Sequence, residues 1–235
     1  MSIKPYYDED GIVIYNCDCR EVLGQLEPVD LVLTDPPYGE QTHKGMRNGH
    51  GKNTIGFEST SADAVRSVFA QCVPRRWLIS SIDWRMAAEL EAAPPSGLDF
   101  IRLGVWVKRN PMPQLTGDRP AMGWEAIAFL HSTAMQKRWN GGGASACYDF
   151  GNTRYGYFGP SLHPAGKPLP LIDKLLRQFA EKGETVLDPF MGSGTTLRAA
   201  KDLGLRAIGI EIEEKYCAIA VERLRQQVLF TTEAA

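Results

Sequence analysis

"ETVLDPFMGSGTTLRAAKDLGLRAIGIE", residues 184–211, decides the fold. "ETVLD" is an apolar run of strand length, "PFMGSG" is a turn, and "TTLRAAKDLG" has the composition of a helix. "LRAIGIE" is a second strand, and "EEKYCAIAVERLRQQV" a second helix. Strand–helix–strand–helix order of this kind gives parallel strands joined by crossover helices. Working outward, "LPLIDKLLRQFAEKG" supplies a helix before this unit, ending at Gly183. "GIVIYN", "VDLVLT", "RWLISS", "FIRLGVWVK" and "EAIAFLH" read as further strands. "VDLVLT" is almost continuously apolar, as a parallel strand covered on both faces must be. "CREVLGQLE", "SADAVRSVFAQCV" with its serine cap, and "DWRMAAELEAA", stopped by Pro94 and Pro95, read as helices. The stretches 39–56, 109–123 and 136–161 carry no apolar period and read as irregular.

The turn inside the opening stretch places Asp188, Gly192 and Gly194 where a strand ends and a helix begins. Glycines there permit a tight turn and close backbone approach to a ligand. No lysine follows them, so this is not a phosphate loop of the Walker kind. Glu211 ends the next strand, about 20 residues on, where an acid can accept from both hydroxyls of a ribose. An acid favoured by a helix dipole explains the same residue equally well.

A second corner follows "VDLVLT". In "TDPPYG", residues 34–39, Pro36 and Pro37 fix φ and carry no N–H, so the chain cannot curl directly into a helix. Asp35 and a free carbonyl make an acceptor-only site suited to an –NH₂ group. Tyr38 adds a flat face for a ring. The ligand that fits is an exocyclic amine on an aromatic base; a turn capped by an aspartate is the alternative.

Composition sets outer bounds. The chain has 235 residues, 43% hydrophobic and 23% charged, enough for one sizeable domain. No stretch approaches the roughly 18 consecutive apolar residues of a membrane span. "MSIKPYYDED" does not read as a secretory signal, which makes the cytoplasm the default compartment. Five cysteines without zinc-finger spacing argue against a disulfide framework and against a metal site. The net charge is −2, yet segregated. Residues 41–57 hold Lys44, Arg47 and Lys52 with no acid, and residues 101–170 carry a net of +5. The remainder carries −10. One face can therefore attract a polyanion.

"DPPY" followed downstream by "DPFMGSGTT" resembles the S-adenosylmethionine-dependent amino methyltransferases of DNA, and the motif order resembles their permuted β class. "NCDC", "VWVKRNP", "GWE", "HPAGKP" and "GIEIEEKYCAIAVERL" agree with that family in consistent order over residues 15 to 225. The resemblance implies an α/β, Rossmann-like methyltransferase fold: a mixed, mostly parallel sheet of about seven strands with helices on both faces. It implies a catalytic corner of Asp35, Pro36, Pro37 and Tyr38. It also implies S-adenosylmethionine lying against Asp188, Phe190, Gly192, Ser193, Gly194 and Thr195, with Glu211 at the ribose. Asp18 and Cys19 would flank the adenine, and Lys167 would approach the carboxylate end of the cofactor. His163 is expected to be structural.

The family's activity implies methylation of an exocyclic amine in double-stranded DNA, on a base rotated out of the duplex. Aspartate at the first position of the acceptor motif goes with adenine N6, and serine with cytosine N4. The single catalytic domain, 1–235, is expected to carry a basic DNA-facing loop at 39–60 and a short target-recognition insertion at 131–162. Lys44, Arg47, Lys52, Lys137, Arg138 and Arg154 are the expected DNA contacts, with Trp139, Tyr155 and Tyr157 as stacking groups. So short an insertion implies either a short recognition site or help from a second subunit, and the frequency of dimers in the class favours a homodimer. The rival readings are cytosine-N4 or RNA methylation on the same fold, a catalytically silent DNA-binding module, and a nucleotide hydrolase, which the missing lysine disfavours.

Overall fold

The structure is a computed structural model that describes residues 3–37, 61–72, 74–111, 113–151, 155–156, 159–160 and 166–226. Its centre is a nine-stranded sheet. In chain order the strands are β1 (Tyr7–Glu9), β2 (Ile12–Asn16), β3 (Leu31–Thr34), β4 (Trp77–Ile82), β5 (Leu98–Lys108), β6 (Trp124–Ser132) and β7 (Cys147–Phe150). A separate two-stranded ribbon, β8 (Tyr155–Gly156) with β9 (Gly159–Pro160), precedes β10 (Thr185–Asp188) and β11 (Arg206–Glu211). The spatial order is β1-β2-β11-β10-β3-β4-β6-β5-β7. Strands β2, β11, β10, β3 and β4 are mutually parallel, β6 runs antiparallel to both its neighbours, and β7 is parallel to β5.

The helices are α1 (Cys19–Val22), α2 (Ala62–Gln71), α3 (Trp84–Ala92), α4 (Leu169–Phe179), α5 (Thr195–Asp202) and α6 (Glu214–Arg225). Side-chain alternation along the central strands assigns them to two layers. Leu31, Leu33, Trp77, Ile79 and Val186 face a core built with Leu171, Leu175, Leu197 and Cys217 of α4, α5 and α6. Val32, Leu78 and Leu187 face the other core, with Val22, Val65, Phe69, Met86 and Leu90 of α1, α2 and α3. Burial on both faces is why "VDLVLT" has no polar alternation. The mixed sheet with helices on both sides is the architecture that the resemblance implies, at nine strands rather than seven.

Local chemistry starts the helices where the sequence indicates. Ser61 accepts from the Ala64 N–H (3.2 Å) and Asp83 from the Arg85 N–H (2.8 Å). Four strands escape the sequence reading: β1, β7 and the two-residue β8 and β9. β1 is three residues long, and β7 lies within a glycine-rich stretch read as irregular. β7 nonetheless completes the sheet beside β5, and Trp106 Nε1 donates to the Phe150 carbonyl (2.9 Å). Parts of the expected 131–162 insertion therefore belong to the sheet and core: 131–132 end β6, 147–150 form β7, and Trp139 packs 5.4 Å from Phe179, centroid to centroid. Helix α4 also ends at Phe179, earlier than Gly183.

The topology makes one crevice. β10 leads through α5 to β11 on one side, whereas β3 leads to β4 on the other. The carboxyl ends of β3 and β10 are the switch point at which an open parallel sheet parts its connections. Gly209, in β11, lets the loop and helix after β10 sit down on the sheet: a Cβ there would meet Met191 Sδ and lie 2.7 Å from Leu197 Cδ2. Gly209→Ala is expected to destabilise the fold by about 1–3 kcal/mol through overpacking. Urea denaturation should show a lower midpoint with an unchanged slope.

Candidate active site

Both motifs end on the switch point, tied by a side chain. Thr34 Oγ1, the last residue of β3, donates to Asp188 Oδ1, the last residue of β10 (2.8 Å). The same oxygen accepts from the Phe190 N–H (3.2 Å). Asp188 is buried, and burial pushes its carboxyl from 3.8 up to about 6 against these hydrogen bonds.

Beyond Asp188 the chain turns through Gly192 (φ 51°) and Gly194 (φ 76°) into α5. Gly194 also lies under α6, where a Cβ would come 2.7 Å from that of Ala220. Arg223 of α6 reaches back to brace the turn. Its Nη1 donates to the carbonyl (2.8 Å) and hydroxyl (3.1 Å) of Ser193 and to Thr195 Oγ1 (3.2 Å). The sequence reading passed over Arg223, since nothing in "AVERL" marks it.

Glu211 closes the turn from β11. Its Oε2 accepts from the Gly192 N–H (3.1 Å) and its Oε1 from the Glu213 N–H (2.8 Å), just ahead of α6. It thus serves the helix start and the glycine turn together. Each oxygen keeps a lone pair, and burial raises its pKa against those backbone donors. Asn16 Nδ2 donates to the Glu211 and Ile212 carbonyls (2.9 and 3.0 Å), which brings the end of β2 alongside. There Asp18 caps α1 through the Arg20 N–H (3.0 Å) and binds the Arg20 side chain, while Cys19 is buried with its thiol pushed up to about 11. Asp18, Cys19, Phe190, Gly192, Ser193, Gly194, Thr195 and Glu211 all lie along the carboxyl edge of β2, β11 and β10.

The other corner is built around Asp35. Pro36 is buried and Pro37 half-buried behind it, whereas Tyr38 lies outside the described residues. Asp35 Oδ2 accepts from Lys167 Nζ (2.6 Å). Oδ1 is buried and has no hydrogen-bond partner among the described residues. Burial pushes the Asp35 carboxyl up, and Lys167 opposes that. Lys167 also meets Glu125 Oε2 (3.2 Å), and Glu125 Oε1 meets Lys108 Nζ (2.5 Å). Desolvation works against the Glu125 carboxylate, but the two ammonium groups outweigh it and hold its pKa at about 2.

Two placements bear on the sequence reading. The ammonium of Lys167, expected near the cofactor carboxylate, sits on Asp35, since a side chain only 6% exposed needs contact with opposite charge. Lys137 and Arg138 follow the antiparallel β6 and so emerge at the opposite edge of the sheet. There Arg138 pairs with Glu181 and its carbonyl accepts from Trp77 Nε1 (2.6 Å). They do not share an edge with Asp35. Lys44, Arg47, Lys52, Arg154, Tyr157 and His163, and the side chain of Tyr155, lie outside the described residues. In their place the carboxyl edge shows groups not singled out from sequence. Exposed Trp84 has the Arg85 guanidinium 4.3 Å from its ring centroid, and Arg109 and Arg119 project from the loop between β5 and β6.

A parallel sheet whose switch point holds a glycine turn with an acid beyond it, next to an aspartate–proline–proline corner, defines an amino methyltransferase. The model of the DNA methylase family N6_N4_Mtase matches residues 29–222. The chain belongs to that family of S-adenosylmethionine-dependent DNA methyltransferases. It is 26% identical, over 97% of its length and 94% of the relative's, to the Type II methyltransferase M2.DpnII of Streptococcus pneumoniae. Among solved structures, an M1.HpyAVI–SAM complex aligns over 92% of this chain and 100% of its own, with a TM-score of 0.69 and 26% identity. The cytosine-N4-specific PvuII DNA methyltransferase shares the fold (TM-score 0.73, 99% of this chain and 91% of its own) at 16% identity.

The buried Asp188 generates a pH-dependent stability. Its folded pKa, about 6, lies above its ordinary value of 3.8, so the folded state holds the proton more tightly than the unfolded chain. Stability is lost as pH rises from about 4 through 6, by about 2–3 kcal/mol at roughly 1.4 kcal/mol per unit. Asp188→Asn, which can still accept from Thr34 and Phe190, should therefore be more stable than wild type at pH 8. The gain should vanish toward pH 4 in denaturation series across that range.

Proposed function

We propose that the chain transfers a methyl group from S-adenosylmethionine to N6 of an adenine rotated out of double-stranded DNA, with Asp35 receiving the amine. The observation that carries the reading is Asp35 Oδ1: a buried carboxylate oxygen with no partner among the described residues, at the switch point beside the glycine turn. A buried acceptor left without a donor costs stability, which suits an oxygen reserved for a ligand N–H. Adenine is favoured over cytosine because Asp stands first in "DPPY".

The residues around the turn fit the cofactor. Glu211 has lone pairs for ribose hydroxyls, with Asp18 and Cys19 beyond it. The N–H groups opening α5, behind Gly194, suit a carboxylate, and Asp188 adds an acid for the cationic end. When bound, the cofactor supplies an electrophilic methyl on a sulfonium. The chain does the rest. Rotating the base out costs a few kcal/mol, of which stacking on Tyr38 would return about 1–3 kcal/mol. Asp35 Oδ1 and the Pro36 carbonyl take the two amine hydrogens, which favours a pyramidal nitrogen and localises its lone pair. Positive charge then develops on nitrogen beside a carboxylate already in place. Much of the remaining rate comes from holding the reacting atoms in line.

Lys44, Arg47, Lys52 and Arg154 are proposed DNA contacts, with 39–60 as the loop that closes over the duplex. Trp84, Arg85, Arg109 and Arg119 share the edge and extend that surface. Because 147–150 is spent on the sheet, the 131–162 segment offers less reading surface than its length suggests. That strengthens the case for a homodimer supplying a second surface, which sedimentation at micromolar concentration would detect. Among the described residues no helix is long and apolar enough to cross a membrane.

The test is transfer from labelled S-adenosylmethionine to unmethylated plasmid DNA, followed by nucleoside digestion and chromatography. Label is expected in N6-methyladenine and should fall at least about 10²-fold in Asp35→Ala. Label in N4-methylcytosine would overturn the choice of base, and full activity in Asp35→Ala would overturn the role of the corner.

A further inference from the structure

The strongest unassigned feature is a ladder of alternating charge beside Asp35. Lys108 on β5, Glu125 on β6, Lys167 ahead of α4 and Asp35 after β3 form successive contacts of 2.5, 3.2 and 2.6 Å. The side chains of Lys108, Glu125 and Lys167 are all at least three-quarters buried. Ion pairs so placed are a costly way to hold a fold together, since desolvation consumes most of what the contacts return. A chain of three buried charged groups ending on Asp35 calls for a role at that carboxylate.

We propose that Lys167 is a positioning residue for methyl transfer, fixing Oδ2 of Asp35 so that Oδ1 faces the target amine, while Glu125 cancels the charge Lys167 would otherwise project onto that amine. This rests on the reading of Asp35 as the group that receives the amine. The two oxygens of a carboxylate are chemically equal, and a free carboxylate presents either. Pinning Oδ2 to an ammonium removes that freedom and leaves one oxygen for the ligand. The ammonium alone would repel the positive charge that grows on the nitrogen. Glu125, on the far side of Lys167, offsets that repulsion. Lys108 in turn keeps Glu125 ionised.

The charged and titratable groups facing Asp35 are Lys167, Glu125, Lys108 and Asp188. Removing Lys167 takes away the charge that favours ionised Asp35, so the acidic limb of the rate profile moves to higher pH. Removing the Glu125 charge does the reverse: the limb moves to lower pH, while the plateau rate falls. A purely structural role would not move the two limbs in opposite directions.

The experiment is single-turnover methylation of unmethylated plasmid DNA from pH 5 to 9 by wild type, Lys167→Met, Lys167→Arg, Glu125→Gln and Asp35→Ala, with cofactor affinity measured by calorimetry. Lys167→Met and Glu125→Gln should each lower the rate about 10-fold to 100-fold, with opposite limb shifts and cofactor affinity within about threefold of wild type. Lys167→Arg, which keeps the charge, should recover most of the rate and the wild-type limb. Tenfold weaker cofactor binding in Lys167→Met with an unmoved limb would overturn the inference and return Lys167 to the cofactor carboxylate. Limbs that stay put, or move the same way, with an inactive Asp35→Ala would sink the inference alone. A fully active Asp35→Ala would sink the role of Asp35 and the inference with it.

Discussion

The hydrogen bond from Thr34 to Asp188 joins the ends of two parallel strands whose connections diverge. Everything that gives this chain a site depends on that placement. β10 delivers the glycine turn, and β3 delivers the aspartate–proline–proline corner. Because β3 and β10 are hydrogen-bonded neighbours, the two deliveries lie within reach of one another. Chain order is irrelevant to this geometry. The corner precedes the turn by about 150 residues, yet strand pairing sets them side by side. A parallel sheet with its connections parted at one point leaves a crevice there and nowhere else along the edge.

The antiparallel β6 has a less obvious consequence. Parallel strands present only their last residues at the carboxyl edge, whereas β6 presents its first. Glu125, the second residue of β6, therefore stands at the edge together with Lys108, the last of β5. The mixed half of the sheet brings an acid and a base to the site from adjacent strands. The same reversal sends the chain after β6 to the far edge, which is why Lys137 and Arg138 emerge away from Asp35.

That reversal marks the limit of what could be read from the sequence. The central strands were legible because burial on two faces writes itself as nearly continuous apolar runs such as "VDLVLT" and "TVLD". The helix starts were legible because Ser61 and Asp83 cap by local hydrogen bonds that need no knowledge of the rest. Strand direction is different: it is a property of pairing, and "EAIAFLH" reads alike whether parallel or antiparallel. Hence the edge at which the basic residues after it emerge could not be read from the sequence. β7 was missed because an edge strand needs only one partner, and four residues of "CYDF" carry no period. The grip of Lys167 on Asp35 spans 132 positions, and Arg223 acts on the glycine turn from a different helix. No local pattern encodes either contact.

Asp35 and Asp188 end adjacent strands, and burial pushes both carboxyls up. Neither weighs much on the other, Asp35 being the least of the influences on Asp188, and the difference between them lies in their donors. Asp188 receives neutral donors, the Thr34 and Thr196 hydroxyls and the Phe190 N–H. Asp35 receives an ammonium. A charged donor stabilises a carboxylate about twice as well as a neutral one. The ammonium thus favours the charged form of Asp35 directly, in opposition to its burial. The ammonium occupies Oδ2 of Asp35 and leaves Oδ1 without a partner among the described residues, while Asp188 holds the turn through the Phe190 N–H.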